Sequence, residues 1–184
     1  LTRLGEMAWR LQRFDLAEGH FRQALRLGLT DQFLLAVYAD FLLRRNRPAE
    51  VITLLSDWER SDVLLLRLAL AGHALADARA VGWASQLRDR FQAASQRGDR
   101  LHEQEAARFA LDLEKQPHQA LELARRNYQV QKEPRDAEIL LRSALAASDA
   151  TAAQPALDWL RASAYEDPVL AALTAQLVRP GGVR

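Results

Sequence analysis

Residues 1–29, LTRLGEMAWRLQRFDLAEGHFRQALRLGL, decide the fold that the sequence predicts. Small and large apolar residues recur in this stretch at helical spacing on either side of a polar turn, residues 12–15. We expect these residues to be buried: Leu4, Gly5, Ala8 and Leu11 in the first helix, and Ala17, Phe21, Ala24 and Leu25 in the second. Gly5 and Ala17 would let two helix backbones cross closely, and Phe21 would fill the space beside the crossing. Asp15 is a candidate N-cap of the second helix.

The pattern recurs along the chain. A shift of 34 residues carries the polar turn Gln12-Arg13-Phe14 onto Asn46-Arg47-Pro48. The same shift relates the apolar positions Leu4 to Tyr38, Gly5 to Ala39, Ala17 to Val51 and Phe21 to Leu55. Ala84 (or Ser85), Ala120 and Ala153 are the next candidates for the position of closest contact between helices. The sequence therefore predicts a series of helix pairs, each burying its apolar face on the next.

This pattern resembles the tetratricopeptide (TPR) repeat. The residues that carry the resemblance are Leu1, Leu4, Gly5, Ala17, Phe21 and Ala24, and the departures are Ala8 in place of Tyr and Leu29 in place of Pro. The resemblance implies an all-α, right-handed superhelix (an α-solenoid) of about five helix pairs with a C-terminal capping helix.

The repeats divide the chain into a single domain, residues 1–178, followed by a flexible tail at 179–184. We expect the five repeats at about 1–29, 30–60, 61–98, 99–133 and 134–166, with the capping helix at 167–178. Pro48 and Pro117 are predicted to begin second helices, because a missing N–H costs nothing there, and Gly98 is predicted to end one. In the third and fourth repeats the expected buried residues include Leu64, Leu68, Ala71, Leu75, Leu101, Ala106, Phe109 and Leu113.

Composition narrows the class of protein. Apolar residues make up 49% of the 184, enough for a continuous core, and the 25 basic and 24 acidic residues nearly cancel. The chain has no cysteine, which excludes disulfides and thiol catalysis, and no apolar run long enough for a transmembrane helix. Arginine far outnumbers lysine, which we interpret as a GC-rich bacterial origin. We expect a soluble piece of a longer protein, from the bacterial cytoplasm or the periplasm and cell envelope.

The sequence offers no convincing reaction centre. His20, His73, His102 and His118 do not share the helical spacing of metal ligands, and His102-Glu103 begins an HExxH motif that Ala106 fails to complete. No phosphate-binding glycine loop or nucleophile elbow is present. We therefore predict a protein that is not an enzyme, with no metal and no cofactor. The densest basic stretches, Arg44-Arg45-Asn46-Arg47 and Arg125-Arg126, have acids nearby, so nucleic-acid binding is not expected.

The TPR resemblance implies that first helices line a concave, partner-binding groove. In the register set by Gly5 and Ala39, the candidate groove residues are Thr2, Glu6, Trp9, Arg10, Phe33, Asp40, Leu43 and Arg44, with His102, Glu105, Arg135, Glu138 and Arg142 in later repeats. Trp9 lies outside the apolar stripe, beside Arg10, as binding hot spots often do. The alternative is that Trp9 packs against a neighbouring repeat of the same longer chain. The Lys and Asn of chaperone-binding TPR modules are absent at these positions.

We therefore expect a non-catalytic scaffold or adaptor that binds another protein, or a peptide segment, in this groove. The first alternative is a regulatory or docking domain of a larger enzyme or of a secretion or envelope machine. A more distant alternative is a helical repeat that binds RNA, but the required line of base-reading side chains is not found.

Overall fold

The computed structural model of the chain describes residues 1–178. Their regular secondary structure is helical, joined by turns, and contains no β-strand. The predicted flexible tail at 179–184 lies outside the described residues. The helices, in chain order, are α1 Thr2–Arg10, α2 Phe14–Arg26, α3 Gln32–Arg44, α4 Pro48–Leu55, α5 Asp62–Leu75, α6 Ala80–Gln96, α7 Glu103–Asp112, α8 Pro117–Val130, α9 Pro134–Ala146, α10 Gln154–Ser163 and α11 Pro168–Val178. A short 3₁₀ helix, Ala150–Ala153, precedes α10. None of the described helices is long and apolar enough to cross a bilayer.

One turn geometry recurs between the helices. Gln12, after α1, has a φ of 60° and donates to the carbonyl of Trp9, while Arg13 donates to the carbonyl of Ala8. These two bonds make a Schellman motif, which satisfies carbonyls at a helix C-terminus. Both bonds recur 34 residues later, from Asn46 to Leu43 and from Arg47 to Leu42. The same motif follows α2, α5, α6 and α9, with Gly28, Ala76, Gly98 and Ser148 in the left-handed conformation.

The chain forms two compact units. The first, Leu1–Ala93, contains α1 to α5 and most of α6, and the second begins at Ala94. Within the first unit, α1 contacts α2 and α3, and α3 also contacts α4 and α5. Within the second, α9 is central, because α7, α8, α10 and α11 all contact it.

The first hairpin depends on a close approach of α1 to α2. Gly5 and Ala17 are buried, as predicted, and the Phe21 ring is fully buried at this crossing. A Cβ added to Gly5 would lie 2.8 Å from Cζ of Phe21. The Phe21 ring also meets α3, with its centroid 5.3 Å from that of Tyr38 and 5.6 Å from that of Phe41. One ring therefore joins two consecutive hairpins.

Prolines and capping residues set most of the helix boundaries. Pro48, Pro117, Pro134 and Pro168 each begin a helix, where the proline ring already holds the required φ. Asp31 and Ser61 accept hydrogen bonds from Leu34 and Leu64 and so cap α3 and α5. The predicted helix end at Gly98 is confirmed by its φ of 70°.

Several predicted details are wrong. Asp15 is not the N-cap of α2, since Arg13 occupies that position and Asp15 lies in the first turn. Leu4 and Leu11 are 50% and 62% exposed, because helical spacing shows which residues share a face but not whether a neighbour covers it. Leu75 and Leu101 are exposed for the same reason, and α7 begins at Glu103, several residues after the expected start.

Replacing Gly5 with alanine should lower the free energy of unfolding by about 2 kcal/mol, because the new methyl group would overlap a ring that Tyr38 and Phe41 hold in place. Gly19 in α2 is the matched control, since a Cβ there has no atom within 4 Å. Gly19→Ala should therefore raise stability by up to about 1 kcal/mol through helix propensity. Urea denaturation followed by circular dichroism measures both, and equal effects of the two substitutions would contradict the close contact.

Candidate partner-binding face

Most of the predicted groove residues lie on four helices. Thr2, Glu6, Trp9 and Arg10 are on α1; Phe33, Asp40, Leu43 and Arg44 are on α3; Glu105 is on α7; Arg135, Glu138 and Arg142 are on α9; and His102 directly precedes α7. The first eight belong to the first unit and the last five to the second. We call the first eight the α1–α3 face.

Trp9 is the centre of contacts on the α1–α3 face. Its ring meets the edge of Phe41 on α3, with centroids 5.6 Å apart and planes at 86°. The guanidinium of Arg44 lies over the same ring, with Cζ 5.6 Å from the centroid. Trp9 is half-buried in this position. The indole thus packs on the following hairpin and is also flanked by a cation, an arrangement worth about 0.5–1 kcal/mol at a partly exposed site.

A second aromatic residue on this face is flanked in the same way. The guanidinium of Arg3 lies over the Phe33 ring, with Cζ 4.6 Å from the centroid, and its Nη1 donates to Glu6 at 3.1 Å. Phe33 is half-buried, and both it and Trp9 keep part of their surface exposed. Half-exposed rings beside arginines supply apolar area and charge together, which is the composition favoured at binding surfaces.

Asp40 has a structural partner that the sequence analysis missed. Nη2 of Arg67 on α5 donates to Asp40 at 2.7 Å, and Nη1 donates to the carbonyl of Val63 at 2.7 Å. The Arg67 side chain is only 5% exposed, so Asp40 compensates a buried charge. The sequence signal was a single arginine inside the apolar run 63–75, because such a residue needs a partner when buried. Asp40 therefore serves α3–α5 packing and is a poor candidate for direct partner contact.

The predicted residues of the second unit lie on or beside α7 and α9, and several have polar partners within that unit. Arg142 on α9 donates to Asp112 at the end of α7, and Arg135 lies 3.7 Å from Glu133. His102 Nδ1 lies 3.9 Å from Glu105, whose side chain is 12% exposed. Glu138 is half-buried on α9. Arg142 thus links α9 to α7, while Arg135 and His102 lie near acids at the start of their own helices.

A buried polar cluster in the second unit was also missed. Asp136 is 2% exposed and accepts hydrogen bonds from Asn127 at 2.7 Å and Gln104 at 3.1 Å, and from the Glu133 amide at 2.9 Å. Burial raises the pKa of Asp136, and burial together with the Asp136 charge raises that of Tyr128 to about 12. The carboxylate ties α7, α8 and the start of α9 together. A capping box at Glu133 and Asp136 was the available sequence signal.

An ion-pair network fastens the first hairpin to the second. Glu18 on α2 accepts from Arg47 at 2.7 and 2.8 Å and from the Tyr38 hydroxyl at 3.2 Å, and it lies 2.6 Å from Arg22. Arg47 also donates to Glu50 at 2.7 Å. The bonds from Arg47, followed by the charge of Arg22, lower the pKa of Glu18 to about 2. The network stabilises the hairpin junction that positions α1 beside α3.

Among the described residues, no three or more His, Cys, Asp or Glu side chains are grouped so that they could hold a metal ion. Comparisons of this chain with protein-family models, with curated proteins and with solved structures found no match.

The Glu18 network should make stability depend on pH in the acid range. Because the folded pKa of Glu18 is below its ordinary value, its contribution is complete above about pH 5 and is lost as pH falls toward 2. At pH 7, Glu18→Gln should lower the free energy of unfolding by about 2 kcal/mol. The difference in free energy of unfolding between variant and wild type should then shrink as pH falls, as measured by urea denaturation from pH 7 to 2.5.

Glu122→Gln is the matched control for this prediction. The Glu122 side chain is 72% exposed and lies 3.7 Å from Arg126, so its loss should change stability by less than about 0.5 kcal/mol at any pH. A constant gap between Glu18→Gln and wild type across the pH range would contradict the assignment of the network.

Proposed function

We propose that this chain is a TPR-like helical-repeat protein that binds a peptide or protein segment on the α1–α3 face. The observation that carries the proposal is Trp9, held half-exposed between Phe41 and Arg44. An indole held on a helical surface loses little conformational freedom on binding, so its apolar area contributes to affinity at low entropic cost. The right-handed superhelix implied by the TPR resemblance is part of this proposal.

The charges of the face indicate the kind of segment that binds. Arg3, Arg10 and Arg44 lie on or beside it, against Glu6 and the Asp40 that is already paired with Arg67. Three arginines against two acids, beside two half-exposed rings, favour a segment with acidic and apolar residues, because complementary charge speeds association and selects the partner. The proposed role is that of a scaffold or adaptor without a reaction centre.

Selection from a display library of random 12-residue peptides provides a defined probe of this function. Peptides enriched on the immobilised chain should carry Asp or Glu beside aromatic or aliphatic residues. Arg44→Glu should weaken their binding by about tenfold or more, since it replaces an attractive charge by a repulsive one next to Trp9. Fluorescence anisotropy with labelled peptides measures the dissociation constants.

Two further variants make the test specific. Trp9→Leu keeps an apolar side chain against Phe41 but removes the indole, and it should weaken binding by about tenfold. Arg26→Glu makes the same charge change as Arg44→Glu at an exposed position on α2 and should leave affinity within about twofold. The α1–α3 face is not the binding site if the peptides bind wild type and the three variants with equal affinity. The same holds if Arg26→Glu weakens their binding and Arg44→Glu does not.

A further inference from the structure

A strip of exposed apolar side chains runs along the first hairpin. Leu4 and Met7 on α1 are 50% and 51% exposed, Leu11 directly after α1 is 62% exposed, and Leu16 at the start of α2 is 47% exposed. Leu4, Met7 and Leu11 are spaced by three and four positions, so they lie on one side of α1 and its C-cap. We call these four residues the outer strip. Large apolar side chains grouped in this way on a surface are typical of an interaction site.

The internal repeat of the chain identifies what such a strip contacts. The 34-residue shift that relates the hydrogen bonds of the first two turns places Leu4 at the position of Tyr38, and Met7 at that of Phe41. Tyr38 and Phe41 are buried, and both rings contact Phe21 on the second helix of the preceding hairpin. The corresponding positions on α1 are apolar as well, but they remain exposed. Leu4 and Met7 of the outer strip thus have the character of a surface that receives a hairpin.

A charged residue extends the correspondence. Arg13 is related by the same shift to Arg47, which donates to Glu18 on the preceding hairpin at 2.7 and 2.8 Å. Glu18 is three residues before Phe21, so acid and ring lie one helical turn apart on one side of α2. Arg13 is exposed at the turn that joins the two helices of the outer strip. A segment that covers the strip should therefore present an acid to Arg13 and a ring to Leu4 and Met7.

A second copy of this chain cannot supply that surface from its own α2. Phe21 is fully buried against α1 and α3, and Glu18 is bound by Arg47, Arg22 and Tyr38. Exposing them would require opening the hairpin junction. The occupant is therefore a different helical hairpin.

We propose that the outer strip, together with Arg13, is a docking surface for a further α-helical hairpin. The second helix of this partner presents a large apolar ring, preceded by a carboxylate three residues earlier. Docking would bury Leu4 and Met7 as Tyr38 and Phe41 are buried on α2, and it would pair Arg13 as Arg47 is paired. The surface is separate from the α1–α3 face, and its use does not depend on the proposed peptide binding.

A leader made from the chain itself provides the probe. Residues 1–34 are duplicated in front of Leu1, so that the added hairpin carries its own glutamate and phenylalanine in register. Because the chain has no cysteine, Met7→Cys in the original hairpin reports accessibility through its rate of reaction with a thiol reagent. The duplication should lower this rate by about tenfold or more. Thr53→Cys, exposed on α4, should react at the same rate with and without the leader.

A second pair of variants tests the pairing of Arg13 with Glu18 of the leader. In the duplicated chain, Arg13→Glu in the original hairpin should restore much of the lost reactivity, and Glu18→Arg in the leader should then suppress it again. A leader of the same composition in scrambled order should leave the rate unchanged. Each of three results would overturn the proposal: the duplicated leader leaves the Met7→Cys reaction rate unchanged, the scrambled leader lowers it equally, or neither charge change alters the rate in the duplicated chain. So would a dimer of the unmodified chain that Met7→Glu dissociates, because a second copy would then occupy the strip.

Discussion

The structure of the first unit depends on one close contact, the Phe21 ring against the bare backbone of Gly5. The absence of a side chain at Gly5 lets α1 and α2 approach until the ring fills the remaining space. The same ring also forms the contact with Tyr38 and Phe41 on α3. Packing within a hairpin and packing between hairpins are therefore coupled through a single side chain, and the Glu18–Arg47 bonds secure the same junction at its polar edge.

Turn chemistry explains why the hairpins repeat and where their regularity fails. The Schellman motif ends α1 and α3 in the same way, 34 residues apart. The next turn within a hairpin comes sooner, at Ala76, and α6 after it has 17 residues, so the third repeat departs from the period. The division between the two compact units falls within this longer helix. In the second unit the turns within hairpins return to nearly the same period, with residues in the left-handed conformation at Lys115 and Ser148.

The functional surfaces follow from which residues this packing leaves partly exposed. A buried charge needs a specific partner. Asp40 pairs with Arg67 in one unit, and Asp136 accepts a hydrogen bond from Asn127 in the other, so these acids serve packing. The rings of Trp9 and Phe33 remain half-exposed beside arginines, while Leu4 and Met7 remain exposed on α1 without a covering helix among the described residues. One helix, α1, thus contributes both to the face proposed for peptide binding and to the strip proposed for hairpin docking.

The sequence by itself determined the all-helical class and the helix boundaries at Pro48, Pro117 and Gly98, because prolines and glycines act within a few residues of chain. It also determined the buried contacts of Gly5, Ala17 and Phe21, since small residues at a helix crossing have a local signature. Only the tertiary structure decided that Leu4 and Leu11 are exposed, that Trp9 packs on Phe41, and that Arg67 meets Asp40. Helical periodicity fixes which side chains share a face, whereas burial and pairing depend on residues about 30 positions away whose placement no local pattern encodes.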